Sequence, residues 1–328
     1  MKRRGVIMTK EERILRAKEC LKAYNKVYYN KGDFFKADFW DYAEIFEMIL
    51  DAYEITKDEE YKAQLIEMQG YVMERYKETW EYNPYNDDIM WLTIAHARLS
   101  LLTGEKKYAE IAKKNFDLTY ERAYDENLGG GMYWRIEKRG KNSCITSPAS
   151  IAASLLYKLF GDESYLEKAK SLADWMTETL VREDGKVYDN IGIHGRIQEK
   201  TWTYNEGTYI GANTLIYILT GEGKYLLNAE KAASYTKNIM YENGIMNDEG
   251  EGGDQPGFKG ILSRWLRLFA LTSGKEEYIK WLRLNAESAY ENRNSKGIMG
   301  TMLATKTEEN EYDVFTASSA VAISFNSI

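Results

Sequence analysis

The stretch TGEKKY, residues 103–108, recurs with variation along the chain. TKDEEY stands at 56–61, FGDESY at 160–165, TGEGKY at 220–225 and SGKEEY at 273–278. Each ends in a tyrosine five residues after a Thr, Phe or Ser, and four of the five carry glycine at the second position. The tyrosines fall at 61, 108, 165, 225 and 278, a mean spacing near 54 residues that divides the chain into six units. Glycine suits a helix end that turns left-handed, and an acidic residue suits the next helix start. Each copy therefore reads as a tight turn between two helices.

The helices on the two sides of these turns differ. ASIAASLLYKLF (149–160), TYIGANTLIYIL (208–219) and GILSRWLRLFAL (260–271) precede a turn and are apolar almost all round. The helix after a turn is striped: Tyr165, Ala169, Leu172, Ala173 and Met176 share one face, with Glu167, Lys168 and Lys170 elsewhere. A helix apolar on all sides is buried, and a striped one is half exposed. Alternation of the two predicts inner helices shielded by outer ones. Six such hairpins, closed by a last helix near 312–325 against a first near 9–28, make an all-α (α/α)6 toroid occupying 1–328 as one domain. An open helical solenoid is the rival, but its common repeats of about 34 to 47 residues are shorter than most intervals here.

The repeated turns lie at one end of such a toroid. The long connections, roughly 29–38, 80–86, 123–146, 182–204, 242–256 and 292–311, emerge at the other. Long loops in a compact domain carry function or are disordered, and these are rich in Trp and Tyr. That end is the candidate active face.

YNDDIMWL (85–92) begins an inner helix on this face, with Asp87 and Asp88 side by side. An acid at a helix start is commonly no more than a cap, and a cap needs only one. Two carboxyls at the mouth of a largely apolar ring must face water or share a proton. The helix terminus lowers both pKa values, while each charge raises the other's. One can then serve as an anion while its neighbour holds a proton, as retaining glycosidases require. Consecutive helical residues do not face each other, so convergence requires a distorted helix or a position right at the helix end. Other inner-helix starts and loops place Trp40, Trp134, Asn142, Asp189, Tyr204, Asn205, Glu206, Phe258 and Lys259 in the same layer, where aromatic faces and hydrogen-bonding groups suit pyranose rings. For any single Trp or Tyr, core packing is the commoner role, and Trp175, Trp265 and Trp281, inside helices, are assigned to the core.

Other chemistries find no support. A net charge of −7 argues against nucleic acid. No apolar run is long enough to span a membrane, and the first twenty residues lack the apolar stretch of a secretory signal. A cytoplasmic setting is the default expectation, although a chain whose signal had been removed would look the same. The two histidines read as one buried, His96, and one exposed, His194. No Cys/His cluster has metal-ligand spacing, and no phosphate-loop, dinucleotide or GxSxG pattern occurs, so no cofactor or metal is expected. Cys20 and Cys144 form no framework, though a single bridge between them stays open.

YNDDIMWL (85–92), LGGGMYWR (128–135), KNSCITSPASIAAS (141–154), WTYNEGTYIGA (202–212) and GGDQPGFKGILSRWL (252–266) together resemble glycoside hydrolase family 76, the endo-α-1,6-mannanases. The resemblance runs from about residue 35 to the end. It implies an (α/α)6 fold and hydrolysis of α-1,6-mannosidic bonds in an oligo- or polysaccharide with retained configuration. Asp87 would be the nucleophile and Asp88 the general acid/base, with Asp189 binding sugar and Asn142, Tyr204, Asn205 and Lys259 near the cleft. At 206 the family pattern leads one to expect glutamine, where this chain has glutamate. Two other readings stand beside it: another (α/α)6 sugar enzyme, such as an unsaturated glucuronyl hydrolase, and a non-catalytic carbohydrate-binding toroid.

Overall fold

The computed structural model describes residues 8–309 and 312–328. Among these residues, twelve α-helices alternate between two rings. The inner ring holds α2 (Phe39–Thr56), α4 (Asn86–Thr103), α6 (Ser143–Phe160), α8 (Thr203–Thr220), α10 (Gln255–Ser273) and α12 (Ser318–Asn326). The outer ring holds α1 (Lys10–Tyr24), α3 (Glu59–Arg75), α5 (Lys106–Ala123), α7 (Glu163–Thr179), α9 (Gly223–Ile239) and α11 (Glu276–Glu291). Each inner helix packs on the next, and α12 returns to α2, so the ring is closed. Both α1 and α11 cover α12. The fold is the expected (α/α)6 toroid.

The five repeated turns have the expected geometry. Gly104, Gly161, Gly221 and Gly274 end their helices with φ between 68° and 78°. In the copy without glycine, Lys57 occupies the same left-handed region at φ 54°. Asp58, Glu105, Asp162 and Glu222 then stand at the N-caps of the following outer helices. Glycine has a different use where α8 meets α10. A Cβ at Gly207 would lie 2.6 Å from the Leu262 Cα, and one at Gly211 would lie 2.6 Å from the Trp265 ring. These two residues let the inner helices approach closely. Trp175, Trp265 and Trp281 are buried core residues as expected, as is His96, while His194 is exposed.

The inner ring is buried but not uniformly apolar, a departure from the sequence expectation. Glu44, Glu47 and Asp51 on α2 are all buried. Arg98 from α4 reaches Glu47, Asp51 at 2.9 Å and Glu54 at 2.6 Å. Arg264 from α10 reaches Glu44 at 3.1 Å, Glu47 at 3.1 Å and Asp51 at 3.0 Å, and Asn326 of α12 donates to Asp51 at 2.9 Å. Four inner helices thus meet through one ionic cluster in the ring's interior. Such a cluster adds little net stability over an apolar core, but removing one partner leaves uncompensated buried charge.

Short strands organise the long loops. β1 (Gly140–Asn142), β2 (Asn190–Gly192) and β3 (Ile197–Gln198) form a small antiparallel sheet that sets Asn142 opposite Asn190. β4 (Tyr241–Glu242) and β5 (Ile245–Met246) form a separate hairpin. The Lys141 ammonium, fully buried, donates to the carbonyls of Asp125, Asn127 and Gly130 and to the Asp125 carboxylate, all within 2.8 Å. It gathers the glycine-rich loop into a compact turn. Cys20 and Cys144 are both free thiols, which rules out a bridge between them. No helix among the described residues is long and apolar enough to cross a membrane.

Candidate active site

A cleft of about 820 Å³ opens at the long-loop end of the toroid. Five of the six long connections, or the helix starts that follow them, contribute to its wall; none of residues 292–311 does. Asp87 and Asp88 occupy the second and third positions of α4 and both line the cleft. The first-turn position lets neighbouring side chains share one space. Backbone neighbours fix that helix start: the Asn86 N–H donates to the Trp134 carbonyl at 2.8 Å, and the Asn86 amide donates to the Tyr133 carbonyl at 2.8 Å.

Burial pushes the Asp87 carboxyl well above the usual carboxylate range, and the charge on Asp88 pushes it further; the Cys144 thiol and Trp134 indole partly offset this. One of its oxygens, Oδ1, is buried without a hydrogen-bond partner. Asp88 is pushed up to about 6, chiefly by burial, with Asp254 and Asp38 adding to the effect and a hydrogen bond from Asn83 at 2.9 Å opposing it. Two carboxyls this close titrate as one unit. Burial raises both members, which suits the unit to holding a proton beside a negative charge.

Elsewhere on the cleft wall, the Asp189 carboxylate accepts from the Tyr204 hydroxyl at 2.8 Å, the Asn190 amide at 2.9 Å and the Asn205 amide at 3.4 Å. A third acidic zone lies at the starts of α2 and α10. Asp254 accepts from the Trp40 indole at 3.0 Å, and Asp41 is pushed up to about 7 by burial and by Asp38, Asp254, Asp313 and Asp88. Aromatic rings join these zones. Trp40 lies 6.3 Å from Trp91 and 6.4 Å from Phe258, and Phe258 lies 4.5 Å from Tyr204 and 5.5 Å from Trp202. Trp134, 38% exposed, stands beside Tyr85 on the opposite rim.

Of the residues singled out from sequence, Asp87, Asp88, Trp40, Trp134, Asn142, Asp189, Tyr204 and Phe258 line the cleft. Asn205, Glu206 and Lys259 are fully buried behind its wall and do not. Asn205 reaches the site through two lining residues, donating to Asp189 and accepting from the Trp202 N–H at 3.2 Å. Glu206 Oε1 accepts from the Val187 N–H and the Thr201 hydroxyl, both at 2.9 Å. Lys259 lies 3.7 Å from Glu249, whose carboxylate caps the start of α8 through the Thr203 N–H and hydroxyl at 2.6 Å each. Asp38, Asn83, Trp91, Cys144 and Asp254 line the cleft unforeseen. Trp91 was within reach, being three and four residues from the two acids and so on their helical face. Asp38 and Asp254 also hold the helix-start position that singled out Asp87.

A family model described as Glycosyl hydrolase family 76 matches residues 9–327. The chain belongs to that family. Within family 76, it is similar to an alpha-1,6-mannanase of Salegentibacter sp. HEL1_6, at 30% identity over 96% of this chain and 98% of that one, with a TM-score of 0.89. That relative was solved with alpha-1,6-mannotriose as an inactive variant in which two consecutive aspartates are asparagine. The Lin0763 protein of Listeria innocua is 30% identical, covering 88% of this chain and 85% of that one, with a TM-score of 0.81. A mannan endo-1,6-alpha-mannosidase of Saccharomyces cerevisiae is 27% identical over 187 residues. The family 76 chain described here matches only 40% of that yeast protein's length.

Proposed function

We propose that this family 76 chain hydrolyses α-1,6-mannosidic bonds within an oligo- or polysaccharide, with retention of configuration. The observation that carries the reading is the Asp87–Asp88 pair: two proton-sharing carboxyls on the wall of an aromatic-lined cleft. The chain has one Asp-Asp sequence, and the inactive mannanase variant bound to mannotriose has lost two consecutive aspartates. Attack by one carboxylate on the anomeric carbon breaks the glycosidic bond while the other carboxyl protonates the departing oxygen. Water, deprotonated by that second group, then releases the sugar. The resemblance gives the attack to Asp87 and the proton transfers to Asp88. Burial raises both carboxyls, so the pair is suited to holding a proton, which the reaction needs on Asp88 when Asp87 attacks.

The lining favours a neutral glycan over a uronide. Asp38, Asp87, Asp88, Asp189 and Asp254 line the cleft, and no Lys, Arg or His does. Carboxylates accept from sugar hydroxyls, whereas a uronide's carboxylate would enter without a cation to pair with. The aromatic rings offer faces to pyranose C–H groups. Asn205, Glu206 and Lys259 act from behind the wall by holding Asp189 and the starts of α8 and α10.

Incubation with α-1,6-manno-oligosaccharides and, separately, with unsaturated uronides tests the proposal. The expected result is cleavage of the mannosides alone, lost in Asp87→Asn. Binding of mannosides without turnover would instead make the chain a carbohydrate-binding toroid.

A further inference from the structure

Two side chains of α5 grip the loop before α4: Asn115 accepts from the Trp80 N–H at 2.9 Å and donates to the Glu78 carbonyl at 2.8 Å, and Arg122 holds the part nearest the acid pair. Arg122, in the last turn of the outer helix α5, reaches three acceptors on residues 81–86. Its Nη1 donates to the Glu81 carbonyl at 2.7 Å, its Nη2 to the Asn83 carbonyl at 2.7 Å, and its Nε to Asn86 Oδ1 at 2.6 Å. Asn83 is itself buried and fully engaged: its N–H donates to the Trp80 carbonyl at 2.9 Å, and its Oδ1 accepts from the Tyr85 N–H at 2.9 Å. That leaves the Asn83 amide N–H group aimed at Asp88 Oδ2, 2.9 Å away. Asn86, the residue before the acid pair, is 1% exposed. A planar guanidinium presents its donors in a fixed fork, so three acceptors on one loop leave that loop little freedom.

We infer that Arg122 and Asn83 are positioning residues for the catalytic pair: Arg122 fixes the loop, and the loop's Asn83 holds the Asp88 carboxylate in place. Arg122 does not touch the catalytic carboxyls itself; it reaches them through Asn83, whose amide meets Asp88. The effect runs through one directed hydrogen bond to Asp88 and through the anchored start of α4. The role in catalysis rests on the proposed reading of the Asp87–Asp88 pair; the hydrogen-bond relay itself does not. Lysine is a poor replacement for Arg122: three different guanidinium nitrogens each meet one acceptor, and an ammonium nitrogen would have to stand within reach of all three at once.

Carboxyl-carbon NMR titration of Asp88 tests the relay without any substrate. Burial pushes the Asp88 carboxyl up to about 6, and the Asn83 hydrogen bond opposes that rise. Asn83→Ala removes a donor to the ionised form, so the titration moves upward by about one pH unit. Arg122→Ala moves it in the same direction, Arg122→Lys does so nearly as far, and the double variant goes no further than Asn83→Ala alone, because the two act in series. Added guanidinium chloride at millimolar levels returns Arg122→Ala part of the way. An Asp88 titration unmoved in folded Arg122→Ala, or shifts that add in the double variant, overturns the relay. Should Arg122→Ala not fold, Arg122→Gln is read by the same two criteria.

Activity on α-1,6-mannotetraose supplies a second readout. Arg122→Ala is expected to lower kcat about tenfold or more with KM little changed, since sugar-binding groups stay in place. A rise in KM at constant kcat contradicts the assignment. A native chain that leaves the mannoside uncut would defeat the proposed function, while the titration still decides whether the relay exists.

Discussion

Glu206→Gln should stabilise the protein, and by more as the pH rises. Glu206 is fully buried; Oε1 accepts two hydrogen bonds, and Oε2 is buried without a partner. Burial pushes its carboxyl well above the usual range, and the Val187 N–H and Thr201 hydroxyl offset only part of that. The folded chain therefore holds a proton that the unfolded chain releases above about pH 4.5. Because the native state binds the extra proton, stability falls as pH rises from the unfolded value toward the folded one, by about 1.4 kcal/mol per pH unit. Glutamine has the same shape and no proton to hold. Below about pH 4.5 the two proteins should differ by no more than about 1 kcal/mol. Above it the gap should open in favour of Glu206→Gln with that slope, then level off where Glu206 ionises in the fold. Urea denaturation of both proteins at several pH values and constant ionic strength reads the gap directly. A gap independent of pH would show that Glu206 is not held protonated and would refute the reasoning.

Three further substitutions and one profile follow from the same structure. Arg264→Met takes from Glu44 the guanidinium it pairs with and leaves Glu47 and Asp51 with Arg98 as their cation, and a loss of about 3–5 kcal/mol in urea denaturation is expected; an unchanged midpoint would remove the cluster from the stability account. Gly207→Ala drives a methyl group into the α10 backbone, with an expected loss of about 1–3 kcal/mol, and a neutral result would mean that α8 and α10 can part freely. Lys57→Gly relieves the left-handed backbone of the one turn lacking glycine, so the melting temperature should rise slightly, consistent with about 0.5–1 kcal/mol; a fall would argue that the Lys57 side chain matters more than its backbone. The acidic limb of kcat/KM should lie near pH 6, where protonation of Asp88 removes the anion from the pair, and a limb unmoved by Asn83→Ala, which takes a donor from the Asp88 carboxylate, would contradict that origin.

The toroid was legible in the sequence because a helix hairpin leaves a local mark: a left-handed residue, an N-cap and a packing tyrosine at fixed offsets. The acid pair was legible for a similar reason, since a helix start has a definable height in the ring. What the sequence did not give was azimuth. Tyr204 and Phe258 line the cleft, whereas Asn205, Glu206 and Lys259, one or two residues on, turn behind its wall. At a helix start, single-residue steps of about 100° separate wall from backing. The ionic cluster was invisible for another reason. Asp51 meets Arg264 and Asn326 across more than 200 residues, and nothing local marks one as the other's partner. Arg122 hides in the same way, on an outer helix that reads as amphipathic surface.

The most direct measurement is proton NMR of the first product released from an α-1,6-manno-oligosaccharide. A carboxylate that attacks the anomeric carbon, followed by water, delivers a new reducing end in the α configuration before mutarotation. The account predicts that α signal first for the native protein and no early product for Asp87→Asn. A β signal appearing first, or undiminished hydrolysis with both Asp87 and Asp88 replaced by asparagine, would contradict it.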